Sequence, residues 1–246
     1  MVKTISILIP SLLFTSLISI QNVYTCIADT KDVDLLINES MACFQQISDY
    51  TCTLEKKVNK DGVVYYDPEI SVKFKKPAHY YFKWGSGKFK GQEIIFAENR
   101  YHNKIVAHSG GLLGFITIHL DPEGSIAMKR NHHSLRRSGM EKIFDILGES
   151  YNRYKITGYG SISLMGESGM DGRDVWVIQG EFPENMGFYA AKIILCLGKV
   201  NTLPLKITVY DWSGALYEEY SFHDLRINVG LDEKDFDPEN IKYNFN

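Results

Sequence analysis

The chain has 246 residues, 44% hydrophobic and 23% charged, with a net charge of −3. That length accommodates one large domain or two small ones, and the composition is that of a globular protein rather than a disordered one. No run of Lys and Arg is concentrated enough to hold a phosphate backbone, which excludes nucleic acid as a partner.

Lys3 precedes an uncharged, mainly apolar run over residues 5–20, after which polar residues lead to Cys26-Ile27-Ala28. This pattern predicts a secretory signal peptide over residues 1–28, cleaved after Ala28. The remainder, 29–246, is then one exported domain, periplasmic or secreted. An uncleaved anchor is the competing reading. A lipoprotein with its lipid on Cys26 is another, but Thr25 and Tyr24 fit badly where such sites normally carry small residues. No later run reaches the roughly 20 apolar residues of a membrane helix. Of four cysteines, Cys43, Cys52 and Cys196 survive cleavage, so at most one internal disulfide can form. Cys43 and Cys52, neighbours across a helix-to-strand turn, are the candidate pair; three free buried thiols are the alternative.

Val33, Leu36, Ile37, Met41, Phe44 and Ile47 recur at helical spacing and predict a first amphipathic helix ending near Ser48-Asp49. The period then changes. Over 50–58, Tyr50, Cys52, Leu54 and Val58 share one face, and Asn59-Lys60-Asp61-Gly62 is a turn leading to a second strand over 63–75. Tyr80, Phe82 and Trp84 continue the alternation, followed by short runs over 92–98, 104–108 and 115–120. A second helix is predicted over 139–154, with Met140, Ile143, Phe144, Leu147, Tyr151 and Tyr154 as its stripe. Ser138 and Glu141 match a capping box at its start. One more strand is expected over 156–166. A meander of four then follows, over 174–182, 189–197, 203–209 and 217–227. In its third run Leu203, Leu205, Ile207 and Val209 alternate with Pro204, Lys206, Thr208 and Tyr210, which makes one face apolar.

About eleven strands and two main helices, in the order helix, strands, helix, strands, argue against a parallel wound sheet. The expected class is α+β. Its core element is a curved antiparallel half-barrel sheet of about eleven strands, covered on its concave face by helices, because so broad a sheet twists and curls.

Several motifs carry a resemblance. They are Asp49-Tyr50-Thr51-Cys52-Thr53, Gly91-Gln92-Glu93-Ile94-Ile95-Phe96, Ala107-His108-Ser109-Gly110-Gly111, and Leu120-Asp121-Pro122 with Ala127-Met128. Leu203-Pro204-Leu205, Tyr210-Asp211-Trp212 and Asp224-Leu225-Arg226-Ile227-Asn228-Val229-Gly230-Leu231 complete the set. Over roughly residues 34–237 the chain resembles the bacterial domain of unknown function 1571 family, grouped with the LolA-like fold of envelope lipoprotein carriers. The resemblance implies a half-barrel closed by helices around an apolar cavity. The link to lipid or lipoprotein handling is analogy at the level of the fold.

The chemistry-bearing residues point away from catalysis. The seven His form no HxH or HExxH spacing, and there is no CxxC, so neither a metal nor another cofactor is expected. No nucleophile elbow is present, and the bend over 110–114 lacks the Lys-Ser/Thr of a phosphate loop. Glu93 and Glu98 sit at an odd spacing, on opposite faces of one strand, which does not build a carboxylate pair. His108, before Ser109-Gly110-Gly111, is the one candidate base. Glycines there serve equally well to give the backbone unusual angles. The remaining candidate is an apolar face made by Phe74, Tyr80, Phe82, Trp84, Phe96, Ile118, Leu205 and Ile207. These residues either pack as a filled core or leave a lipid-sized pocket. A pocket would bind lipid or lipoprotein acyl chains without a polar contact, since each buried methylene contributes about 0.8 kcal/mol. A filled core would suit a module that recognises another envelope protein.

Overall fold

Hairpin turns and strand alternation set the frame. A computed structural model describes residues 32–111 and 116–245, so the signal peptide expected over 1–28, the lipidation site considered at Cys26 and the first residue of the run 115–120 lie outside the described residues. The elements are α1 (Val33–Gln45), β1 (Asp49–Lys60), β2 (Val63–Lys75), β3 (His79–Trp84), β4 (Glu93–Ala97), β5 (Ile105–His108), β6 (Thr117–Leu120), α2 (Ser125–Met128), α3 (Gly139–Thr157), β7 (Ser161–Met170), β8 (Arg173–Glu181), β9 (Lys192–Gly198), β10 (Pro204–Tyr210) and β11 (Leu216–Ile227). The short α2 has no counterpart in the sequence reading.

Two hairpins turn on residues that tolerate positive φ. Asp61 and Gly62 (φ 55° and 76°) join β1 to β2, and Asp171 and Gly172 (φ 50° and 71°) join β7 to β8. The boundary between α3 and β7 differs from expectation. The helix runs on to Thr157 and ends where Gly158, at φ 69°, returns its amide to the Tyr154 carbonyl. The following strand therefore starts at Ser161, not at residue 156.

All eleven strands form one curled antiparallel sheet in the order β6-β5-β4-β3-β2-β1-β11-β10-β9-β8-β7. The first six strands make a meander running from the middle of the sheet to one edge. The chain then crosses the concave face and returns from the far edge through β7 to β11. The seam is the pairing of β1 with β11, in register from Tyr50 opposite Ile227 to Val58 opposite Glu218. Laid flat, eleven strands at about 4.8 Å spacing span roughly 48 Å. The 19 residues of α3 reach about 28 Å at 1.5 Å per residue. The helix is thus shorter than the flat sheet is wide, and the residues between β6 and α3 make up the rest of the crossing. Interrupted registers at Thr51/Thr53 and Leu54/Lys56 add bend to β1.

Motif residues close the seam. The Asp49 carboxylate, buried at the start of β1, accepts the amides of Val229 (2.7 Å) and Gly230 (3.2 Å) just beyond β11. Asn228 Oδ1 accepts the Ser48 amide at 2.7 Å. A second backbone contact explains the glycines of another motif. A Cβ on Gly110 would lie 2.1 Å from the Lys90 carbonyl oxygen, so only glycine lets the bend after β5 approach residues 90–92.

The concave side carries the main core, in which α1 and α3 meet through stacked Phe44 and Phe144 rings 4.2 Å apart. Over β3 to β5 the other face is covered as well. Phe236, Tyr243 and Phe245 of the C-terminal tail pack on Tyr81, Ile95, Ala97 and Val106. The sequence predicts one apolar face for the sheet; here the tail makes these strands buried on both. Glu93 is fully buried beneath this tail, paired with Lys83 at 2.9 Å and accepting from Asn244 Nδ2 at 2.6 Å.

A cavity beneath the crossover segment

The two halves of the concave face are filled differently. Over β7 to β10, α1 and α3 pack Ile37, Leu147 and Tyr151 against Ile162, Ile178, Ile193 and Leu195 and leave a void of only about 30 Å³. Over β1 to β6 the cover is thinner: α2, the residues after it and the first turns of α3. There a cavity of about 680 Å³ remains, within the roughly 300–1,000 Å³ of small-molecule sites. Its walls are mainly apolar, with Leu54, Ile70, Phe82, Ile94, Ile105 and Ile143 among them. Ile118, 42% exposed, and Ile126, 69% exposed, line it too, so it opens between the β6 edge and α2.

The sequence-derived face divides accordingly. Phe82, Trp84 and Ile118 line the cavity. Phe74 and Tyr80 are buried in the same ladder of rings, with centroids 5.1 Å apart, and Tyr80 leads on to Phe82 (5.9 Å) and Phe96 (6.5 Å). Phe74, Tyr80 and Phe96 do not reach the opening. Leu205 and Ile207 are buried on β10, which lies beyond β11 from the strands that line the cavity. Cys43, Cys52 and Cys196 stand as free thiols, and burial pushes the Cys52 thiol upward. His108, buried at the end of β5, lies 5.9 Å from the Phe245 ring and faces the cavity wall. Among the described residues no group of three or more His, Cys, Asp or Glu converges on a metal position. No helix of the described residues is long and apolar enough to cross a membrane.

The start of α3 corrects the expected capping box. The Ser138 side chain caps nothing. Instead Tyr50 and Tyr80 rise from the sheet, and their hydroxyls accept the amides of Met140 (3.2 Å) and Ser138 (3.3 Å). Glu141 turns inward to take the Tyr80 hydroxyl proton as a hydrogen bond rather than reaching back to residue 138. Burial, reinforced by the negative charge of Asp145, raises the Glu141 carboxyl to about 8.

Polar side chains latch the segment between α2 and α3 onto the sheet. Lys60 Nζ donates to the carbonyls of Met128 (2.6 Å) and Asn131 (2.8 Å), capping α2 from β1. His132 stacks on Tyr217 at 3.9 Å with Nε2 2.9 Å from the Asn59 carbonyl. His133 Nε2 is 2.7 Å from the Tyr189 hydroxyl and 3.2 Å from Glu218 Oε1. Glu218 is fully buried, which works against its charge. Hydrogen bonds from His133, Tyr189 and Tyr220 outweigh that cost and hold its carboxyl below the ordinary range. These contacts were not legible in the sequence, because they join residues some 60–85 positions apart.

Comparison with known proteins gives two kinds of likeness. The family model described as "Protein of unknown function (DUF1571)" matches residues 47–245. No curated protein matches the sequence. Among solved structures, the lipoprotein LppX of Mycobacterium tuberculosis is 12% identical with a TM-score of 0.49, over 82% of this chain and 99% of that one. A LolA superfamily protein of Nitrosomonas europaea is 12% identical with a TM-score of 0.34, over 83% and 96%. The MucA/MucB complex of Pseudomonas aeruginosa contains a chain 14% identical with a TM-score of 0.43, over 82% of this chain and 59% of that one.

Proposed function

The chain belongs to the DUF1571 family, matched over residues 47–245, and for this member of it we propose an exported, non-enzymatic protein that holds the acyl chains of a lipid or an acylated protein in its cavity. The observation that carries the reading is the hollow beneath the crossover: about 680 Å³, walled mainly by aliphatic and aromatic side chains and open at one end. Burying roughly ten methylenes there contributes about 8 kcal/mol before the cost of ordering the ligand, which supports micromolar binding without a designated polar contact. An acyl chain needs no catalytic constellation, and His108 is better accounted for as part of a buried wall between β5 and the C-terminal tail.

The expected outcome is that the purified chain retains lipid in native mass spectra and takes up a fluorescent fatty acid. Ala107, a small buried residue of the lining, gives a way to fill the space. Ala107→Phe should weaken uptake by about tenfold or more while the melting temperature stays within a few degrees. A homogeneous ligand-free mass together with no fatty-acid uptake would overturn the reading.

A further inference from the structure

The cavity is apolar within, but charge is distributed unevenly around it. Five cationic side chains line it, Lys56, Lys88, Lys129, Arg130 and Lys142, and only one carboxylate does, Asp67. The chain as a whole has a net charge of −3, so this surplus is local and opposite to the overall balance.

The cations converge. Asp67, almost completely buried, is shared between Lys56 at 3.3 Å and Arg130 at 3.1 Å. Arg130 also stacks 4.4 Å from the Phe89 ring centroid, and Lys88 lies 5.8 Å from the same ring. Two positive groups therefore share one acid, and a third, Lys88, lies against the ring on which Arg130 stacks. Lys88, Lys129 and Lys142 make no ion pair among the described residues. The buried carboxylate of Glu218 is occupied by His133, Tyr189 and Tyr220. Lys88 and Lys129 are exposed, and with Ile118 and Ile126 they mark the opening. Like charges held this close repel one another, and an anion placed among them relieves the repulsion.

We propose that the occupant is an amphiphile with an anionic headgroup. Its tail would lie between the sheet and α3, and its head at the mouth among Lys88, Lys129, Arg130 and Lys142. This rests on the reading of the cavity as an acyl-chain site and adds the charge of the ligand to it. Arg130 suits the role because its planar guanidinium keeps donors free while it stacks on Phe89. Buried Lys56 holds Asp67 and so leaves Arg130 only partly neutralised.

The test uses the purified full chain incubated with vesicles of equimolar phosphatidylglycerol and phosphatidylcholine carrying identical acyl chains. The protein is re-isolated, and the bound lipid is identified by native mass spectrometry. Phosphatidylglycerol should exceed phosphatidylcholine by about fivefold or more, a margin that small charge interactions at a partly exposed site can supply. The variant K88Q/K129Q/K142Q alters side chains that make no ion pair among the described residues, and with Arg130 left in place it should lower the ratio about twofold or more by reducing the phosphatidylglycerol retained. Equal retention of both lipids by the unaltered protein would overturn the headgroup proposal and leave the acyl-chain reading standing. Retention of neither would overturn both. A triple variant that keeps the full preference would also overturn the proposal, because three of the four cations assigned to the headgroup would then contribute nothing.

Discussion

Glu141 illustrates how a single side chain departs from its local pattern. Ser138 and Glu141 have the spacing of a capping box, but tyrosine hydroxyls from β1 and β3 occupy the amides at the start of α3, and the carboxyl is drawn to Tyr80. Its carboxyl is raised from 4.5 to about 8, so the folded state keeps a proton that the unfolded chain gives up. No penalty exists below about pH 4.5, where both states are protonated. The penalty grows as pH rises above that value and levels off near pH 8, where both are ionised. Glu141→Gln keeps the neutral shape without the titration. In urea unfolding the variant should match the unaltered protein near pH 4.5 and exceed it at pH 8 by an amount on the order of a few kcal/mol. Parallel stability curves would show that Glu141 ionises freely in the fold. The sequence marked this residue but assigned it the wrong partner, because Tyr80 is 61 positions away.

At the scale of elements, alternation and turn chemistry were legible wherever they are local. Asp61-Gly62 and Asp171-Gly172 announce their hairpins, and the stripes of α1 and α3 are visible as periodicity. The stretch from α2 to the start of α3 was not legible. It lacks a period of its own and is held by side chains of distant strands. Lys60 is the simplest of these latches, since its ammonium is the donor for two carbonyls of this segment. Lys60→Met keeps the stem and removes the donor. Amide hydrogen exchange over residues 125–135 should accelerate by about tenfold, with the strands of β8 to β10 unaffected. Unchanged protection there would mean that the histidine contacts alone hold the segment down.

For the whole molecule, the sequence reading captured the class of fold and the concave cover, but not which half of the concavity is hollow. Periodicity tells which face of a strand a residue occupies and is silent on how closely a helix approaches it. Leu205 and Ile207 share the pattern of Phe82 and Trp84, yet they are buried on β10, away from the cavity that the latter border. The family motifs were equally visible, and several prove to be architectural. Asp49 and the residues after β11 fasten the middle of the sheet. Asp49→Ala removes the buried charged acceptor of two amides and should lower the unfolding free energy by about 2–3 kcal/mol while lipid retention at low denaturant is preserved. Loss of retention with unchanged stability would assign the motif to the ligand instead.

The pairing of the first strand with the last has a consequence for how the molecule comes into being. Until the C-terminal residues arrive, β1 presents an open hydrogen-bonding border in the very centre of the future sheet, and among the described residues only β11 pairs with that border. Contacts across some 170 positions must be made before either meander is braced by the other, which slows assembly. A polypeptide threaded through a channel from its N-terminus would therefore stay incomplete for almost the entire passage and lock shut only when its tail clears the exit.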